Sequence, residues 1–163
     1  MLFIFHSGYG QHDTLSIKFD AKISDVETMG NKLEFVKVYI FKNNEILDSS
    51  LAQNGRFKYI LKTGNVYKIE FQKKGYISKH LVISSKDPGY KTKNNASLKV
   101  EVSLFKHQNG LEVDFLETKP IGIAQYDEHS GKLKWNVDYT RMMVENIIRA
   151  TLELYKKNNP EEN

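Results

Sequence analysis

Apolar and polar residues alternate through much of the first two thirds of the chain. In the stretch LSIKFDAKI, residues 15–23, Leu15, Ile17, Phe19, Ala21 and Ile23 hold one parity, and Ser16, Lys18, Asp20 and Lys22 the other. A period of two sends successive side chains to opposite faces, so this is a strand with one buried face. A polar turn over 25–32 leads to a second strand over 35–41, FVKVYIF. Asn43-Asn44 turns the chain into a weaker, Ser- and Asp-containing strand over 46–52, which reads as an edge. Asn54-Gly55 then predicts a tight hairpin turn, because a type I′ turn needs positive φ at both central residues. Strands follow at 57–61, at 66–71 after the Gly64-Asn65 turn, and at 76–83 after Gly75. Asp87-Pro88-Gly89 ends that run, and 97–105 alternates once more. About seven short strands at this spacing predict a β-sandwich.

The pattern changes after residue 106. Two short apolar runs, 121–126 and 132–135, flank Asp127-Glu128-His129-Ser130-Gly131 and predict a further hairpin. Asp138 fits an N-cap, and 139–157 has helical periodicity, ending before Pro160. Apolar residues cover about half of that helix's circumference, whereas packing on one sheet uses a stripe of about 100°. The surplus predicts a second contact surface, against the chain's own hairpin, a partner or a second copy. Tyr139, Met142, Ile148, Leu152 and Tyr155 are the candidate contact residues.

The order of turns and strands between Ile17 and Ser85 resembles the carboxypeptidase regulatory-like domains. The pieces are Val36-Lys37-Val38-Tyr39-Ile40, then Asn54-Gly55-Arg56-Phe57, a Gly64 turn before Val66-Tyr67-Lys68-Ile69, and Lys74-Gly75-Tyr76. The resemblance implies an Ig-like, transthyretin-like (prealbumin-like) Greek-key sandwich. It also implies structural roles for the matching residues. Asn54, Gly55, Gly64 and Gly75 would set turns, while Phe57 and Tyr76 would pack into or cap the core. The chain departs from the usual Pro-Leu-x-Gly-Ala stretch, having Lys32-Leu33-Glu34-Phe35-Val36 there. The appended hairpin and helix are similar to small envelope proteins of Gram-negative bacteria.

This divides the chain into a leader, 1–10, a sandwich, 11–106, and a hairpin-plus-helix unit, 107–163. The leader reading comes from the apolar run Leu2–Phe5 followed by Gly8-Tyr9-Gly10, a small-x-small pattern that signal peptidase accepts. It predicts the tail of a secretory signal peptide; the competing reading is a first strand over 2–5. Export implies the periplasm, the outer membrane's surface or secretion. No run reaches the ~18–20 apolar residues of a membrane-spanning helix.

Charge is uneven along the 163 residues. Residues 14–106 hold 17 Lys/Arg and 9 Asp/Glu; residues 107–163 hold 7 and 10. A basic sandwich face suits an anionic partner such as a glycan or peptidoglycan. Arg56 is the one Arg before residue 107, and no nucleic-acid motif is present, which argues against nucleic acid.

Catalytic chemistry finds little support. The absence of cysteine excludes thiol catalysis and Cys-ligated metals. His6, His12, His80, His107 and His129 have no metal-ligand spacing, and no nucleophile elbow or phosphate loop occurs. Asp25-x-Glu27 and Asp87 lack the density of a calcium loop. Glu112 and Asp114, near Glu117, are the one carboxylate pair that a hydrolase reading has to use. Tyr9 and Tyr90 are the aromatics expected at the surface. The sequence therefore predicts a non-catalytic interaction or scaffold module of an exported envelope assembly, without a metal or cofactor. The glycan-binding module is the alternative, and the hydrolase comes third.

Overall fold

The computed structural model describes residues 15–28, 30–86, 95–109, 111 and 113–160. The secretory-leader reading, Tyr9, Tyr90, Asp87 and Glu112 lie outside them. The chain is mostly β. Its strands are β1 (Ser16–Asp25), β2 (Lys37–Lys42), β3 (Glu45–Leu51), β4 (Arg56–Lys62), β5 (Val66–Gln72), β6 (Lys79–Ser84) and β7 (Ala96–Leu104). A short helix α1 (Phe115–Thr118), β8 (Gly122–Tyr126), β9 (Leu133–Trp135) and the long helix α2 (Val137–Asn158) follow.

The strands form two sheets. One has the order β4-β1-β7, the other β3-β2-β5-β6-β8-β9. The alternation seen in the first strand decides which face is inside: Ile17, Phe19, Ala21 and Ile23 are all buried. Facing them are Val38 and Ile40 of β2, Tyr67, Ile69 and Phe71 of β5, and Leu81 and Ile83 of β6. This is the two-layer core of a β-sandwich. The hairpin after residue 106 belongs to the larger sheet. β8 runs parallel to β6, with Leu81 opposite Gly122 and Ile83 opposite Ala124, and β9 completes the edge.

A second apolar cluster closes one end of the sandwich. Ile77, Phe105, Val113 and Leu116 pack against Met143, Ala150 and Leu154 of α2. That contact fixes the orientation of the helix.

Three local readings are corrected. Phe35 does not continue the second strand: its φ is 56° and it is 71% exposed. Leu33 and Val36 are both buried, and the chain meets that demand by flipping the intervening Phe35 outward. Tyr76 makes an isolated bridge to Lys106, and its strand begins only at Lys79. The cap of α2 is Asn136, whose side chain accepts from Tyr139 N at 3.0 Å, and not Asp138, which sits in the first turn.

Candidate interaction site

The Asn54-Gly55 turn builds one rim of the site. Asn54 and Gly55 have φ of 51° and 64°, the geometry expected of a type I′ turn. Gly55 lies against β1: its carbonyl accepts from Ile23 N at 2.7 Å. A Cβ there would come within 2.8 Å of Ile23 O and of Lys32 Cβ. Phe57 is buried and stacks on Tyr59, with ring centroids 6.1 Å apart. Gly64 and Gly75 also have positive φ. Tyr76 reaches back across the sandwich end and donates its hydroxyl to Asp25 at 2.6 Å.

Strand register gathers the basic residues. Lys58, Asp20 and Lys99 stand abreast on β4, β1 and β7, as do Arg56, Lys22 and Glu101 in the next row. Abreast residues share a face, so Lys18, Lys22, Arg56, Lys58, Lys62 and Lys99 all project from the outer side of the three-stranded sheet. Asp20 and Glu101 are the carboxylates on that side. Arg56 grips Asp20 through two hydrogen bonds of 2.9 and 2.7 Å, which holds the Asp20 carboxyl below the usual range. Lys22 pairs with Glu101 at 3.0 Å.

The lower rows of this face open into a groove of about 1240 Å³. Lys22, Ser24, Arg56, Lys58, Glu101 and Ser103 contribute from the sheet. Lys32, Leu51 and the Asn54-Gly55 turn contribute from the sandwich edge, and Ile147 and Thr151 from α2.

Beside the groove, α2 carries its surplus apolar residues. At 3.6 residues per turn, Val137, Val144, Ile148, Leu152 and Tyr155 fall within a sector of roughly 80°. They are 44–66% exposed. Ile147 and Thr151 lie between this stripe and the buried face of Met143, Ala150 and Leu154, so the stripe borders the groove.

Of the five candidate contact residues, Ile148, Leu152 and Tyr155 lie on the stripe. Met142 is exposed but points roughly 120° away from its middle. Tyr139 is turned inward: it packs on the second cluster and donates its hydroxyl to Pro120 O at 2.7 Å. Val137 and Val144 complete the stripe; counting residues on the exposed sector, rather than on the whole apolar half, is the signal that finds them. β3 is exposed along its whole length and is the outer strand of its sheet, with Ile46, Leu47 and Leu51 projecting into solvent.

Of the hydrolase pair, Glu112 lies outside the described residues. Asp114 is exposed at the start of α1, and its side chain makes no cap hydrogen bond. No group of three or more His, Asp or Glu among the described residues is arranged to hold a metal. His80 stands opposite Glu70, and burial followed by the Lys68 charge pushes its imidazole down. Lys68 in turn is paired to Glu70 at 2.8 Å. No described helix is long and apolar enough to cross a membrane.

No protein-family model matches the chain, and no curated protein matches its sequence. Among solved structures, it is similar to the Bacillus anthracis TIE protein, at 19% identity and a TM-score of 0.45, over 56% of this chain and 17% of that one. It is also similar to 3-chlorocatechol 1,2-dioxygenase from Rhodococcus opacus 1CP, at 12% identity and a TM-score of 0.42, over 60% of this chain and 63% of that one. Wild-type catechol 1,2-dioxygenase from Acinetobacter radioresistens gives 11% identity and a TM-score of 0.44, over 63% and 56%. The chain thus spans less than two thirds of each of these proteins.

Proposed function

We propose that this chain is a carboxypeptidase regulatory-like sandwich serving as a non-catalytic interaction module of an exported bacterial envelope assembly, with α2 as its docking element. One observation carries the reading: α2 uses one face to close the sandwich and keeps a second, exposed apolar stripe along Val137, Val144, Ile148, Leu152 and Tyr155. Contiguous exposed apolar surface on a folded domain marks sites of protein contact. β3, as an exposed outer strand, offers β-augmentation as a second docking mode.

The test places a photo-crosslinking residue at Leu152 of the tagged full chain in its native envelope. A protein crosslinked in stoichiometric yield, and absent when the same residue is placed at exposed Glu117, supports the module. Equal labelling from both positions overturns α2 as the docking element.

A second reading, binding of an anionic glycan or peptidoglycan, is favoured by the ladder of cations on the three-stranded sheet. It predicts polymer binding that weakens as ionic strength rises and charges are screened.

A further inference from the structure

The groove and the helix stripe are one continuous surface, and its two halves ask for different things. The sheet half is cationic. Asp20 and Glu101 are engaged by Arg56 and Lys22. Asp25, which also lines the groove, is buried and accepts from Tyr76 and from Glu27 N. Lys32 and Lys58 stand in the lining with no carboxylate within 4.0 Å among the described residues. The helix half is apolar, through Ile147 and the adjoining Val144 and Ile148, and Leu51 adds an exposed apolar side chain to the lining.

We propose that this surface binds an acidic amphipathic segment of a partner protein, its carboxylates toward Lys32 and Lys58 and its apolar face on Ile147 and Ile148. The inference rests on the docking role of α2 and specifies the chemistry of what docks there. Size, charge and apolar surface each narrow the occupant. A volume of about 1240 Å³ exceeds the ~300–1,000 Å³ of small-molecule pockets, and suits a length of polypeptide. A linear polyanion satisfies the cations but has nothing to lay against Ile147, Ile148 and Leu51. A second copy presenting this same surface brings its own lysines against these, and like charges across an interface oppose association. A helix with apolar residues at i, i+3, i+4 and i+7 and Glu or Asp elsewhere satisfies both halves.

The experiment titrates the full chain into a fluorescein-labelled helical peptide of about 18 residues, long enough to hold helix, with Leu on one face and Glu on the rest. Two controls are the same peptide with Lys for Glu, and poly-glutamate of equal length. Anisotropy should rise for the acidic amphipathic peptide alone. Lys32→Glu with Lys58→Glu should weaken binding roughly tenfold or more, and so should Ile148→Glu. All three side chains are exposed, and thermal melts verify that the variants stay folded. No binding overturns the proposal. Equal binding of poly-glutamate overturns it in favour of a polyanion site, and equal binding of the Lys peptide reduces it to apolar adhesion. If the peptide fails while Leu152 still crosslinks an envelope protein, docking through α2 stands and only the acidic-segment assignment falls.

Discussion

The Tyr76 hydroxyl donates to the Asp25 carboxylate over 2.6 Å, across 51 positions of sequence. This contact fastens the segment before β6 to the end of β1, beside the groove. Asp25 is 5% exposed, and its other oxygen accepts from Glu27 N at 2.7 Å. Lys106 stands 3.9 Å away and is paired more closely with Glu27. Tyr76→Phe leaves a buried carboxylate oxygen short of its donor, a loss of about 1–3 kcal/mol. Urea unfolding should show a lower midpoint with an unchanged slope. A midpoint unmoved by the substitution would mean that Lys106 or water replaces the hydroxyl.

Lys79 and Tyr76 give the fold a two-sided pH dependence. Lys79 is almost wholly buried; its ammonium lies 4.5 Å over the Phe105 ring and donates to Ser103 O. Burial pushes it from 10.5 down to about 7. Between those values the unfolded lysine keeps a proton that the folded one has released, so stability rises with pH from about 7 toward 10.5. Tyr76 acts in the opposite sense. Burial, then Asp25, raise it from 10.0 to about 12, so its contribution is lost as pH climbs through that interval. Urea midpoints measured from pH 6 to 11 should rise and then level or fall. Lys79→Met should flatten the rise and stabilise the protein at pH 7 by about 1–4 kcal/mol, as replacing buried charge with packed apolar volume does. A rise that survives in Lys79→Met would assign it to another group.

Parity made the sandwich readable. Ile17, Phe19, Ala21 and Ile23 show their buried face because period-two burial is a local property. What depends on pairing partners was not readable. β1 pairs with β7 in parallel across about eighty positions, and only that register sets Lys22 beside Glu101 and Asp20 beside Lys99. A lysine count says the strands are basic; it does not say that three of them show their lysines on the same side. The groove has the same origin, since Ile147 and Lys58 come to line one groove only when Met143, Ala150 and Leu154 seat α2 on the sandwich end. Tyr139 looked like a surface anchor because helical periodicity does not reveal which apolar sector is used internally.

Gly55 couples the hairpin turn to the first strand. Its φ of 64° is in the left-handed region, and a Cβ would meet Ile23 O and Lys32 Cβ at 2.8 Å. Gly55→Ala therefore adds backbone strain and a steric clash with the Ile23 carbonyl and the Lys32 side chain. The expected cost is about 1–3 kcal/mol. Asn54 also has positive φ, but asparagine tolerates that region, so Asn54→Gly should be close to neutral. Thermal melts of the two variants separate the effects: a large loss for Asn54→Gly and none for Gly55→Ala would contradict this account of the turn.

The start of α2 distinguishes two neighbouring side chains with similar chemistry. Asn136 Oδ1 accepts from Tyr139 N at 3.0 Å, satisfying one of the amides that the first turn leaves unpaired. Its backbone carbonyl also takes the first helical bond, from Thr140 N at 3.0 Å. Asp138 is already inside the helix, where its carboxylate adds only a favourable charge near the positive end of the helix dipole. Asn136→Ala should thus cost about 0.5–2 kcal/mol, and Asp138→Ala about 0.3–1 kcal/mol, the latter fading as salt is added. Helix α2 closes the second apolar cluster and supplies the docking stripe. Hydrogen exchange of its amides in Asn136→Ala should therefore quicken most in the first turns, toward Val137 and Val144. Uniform protection along α2 would show that packing of Met143 and Ala150, rather than the cap, holds the helix start.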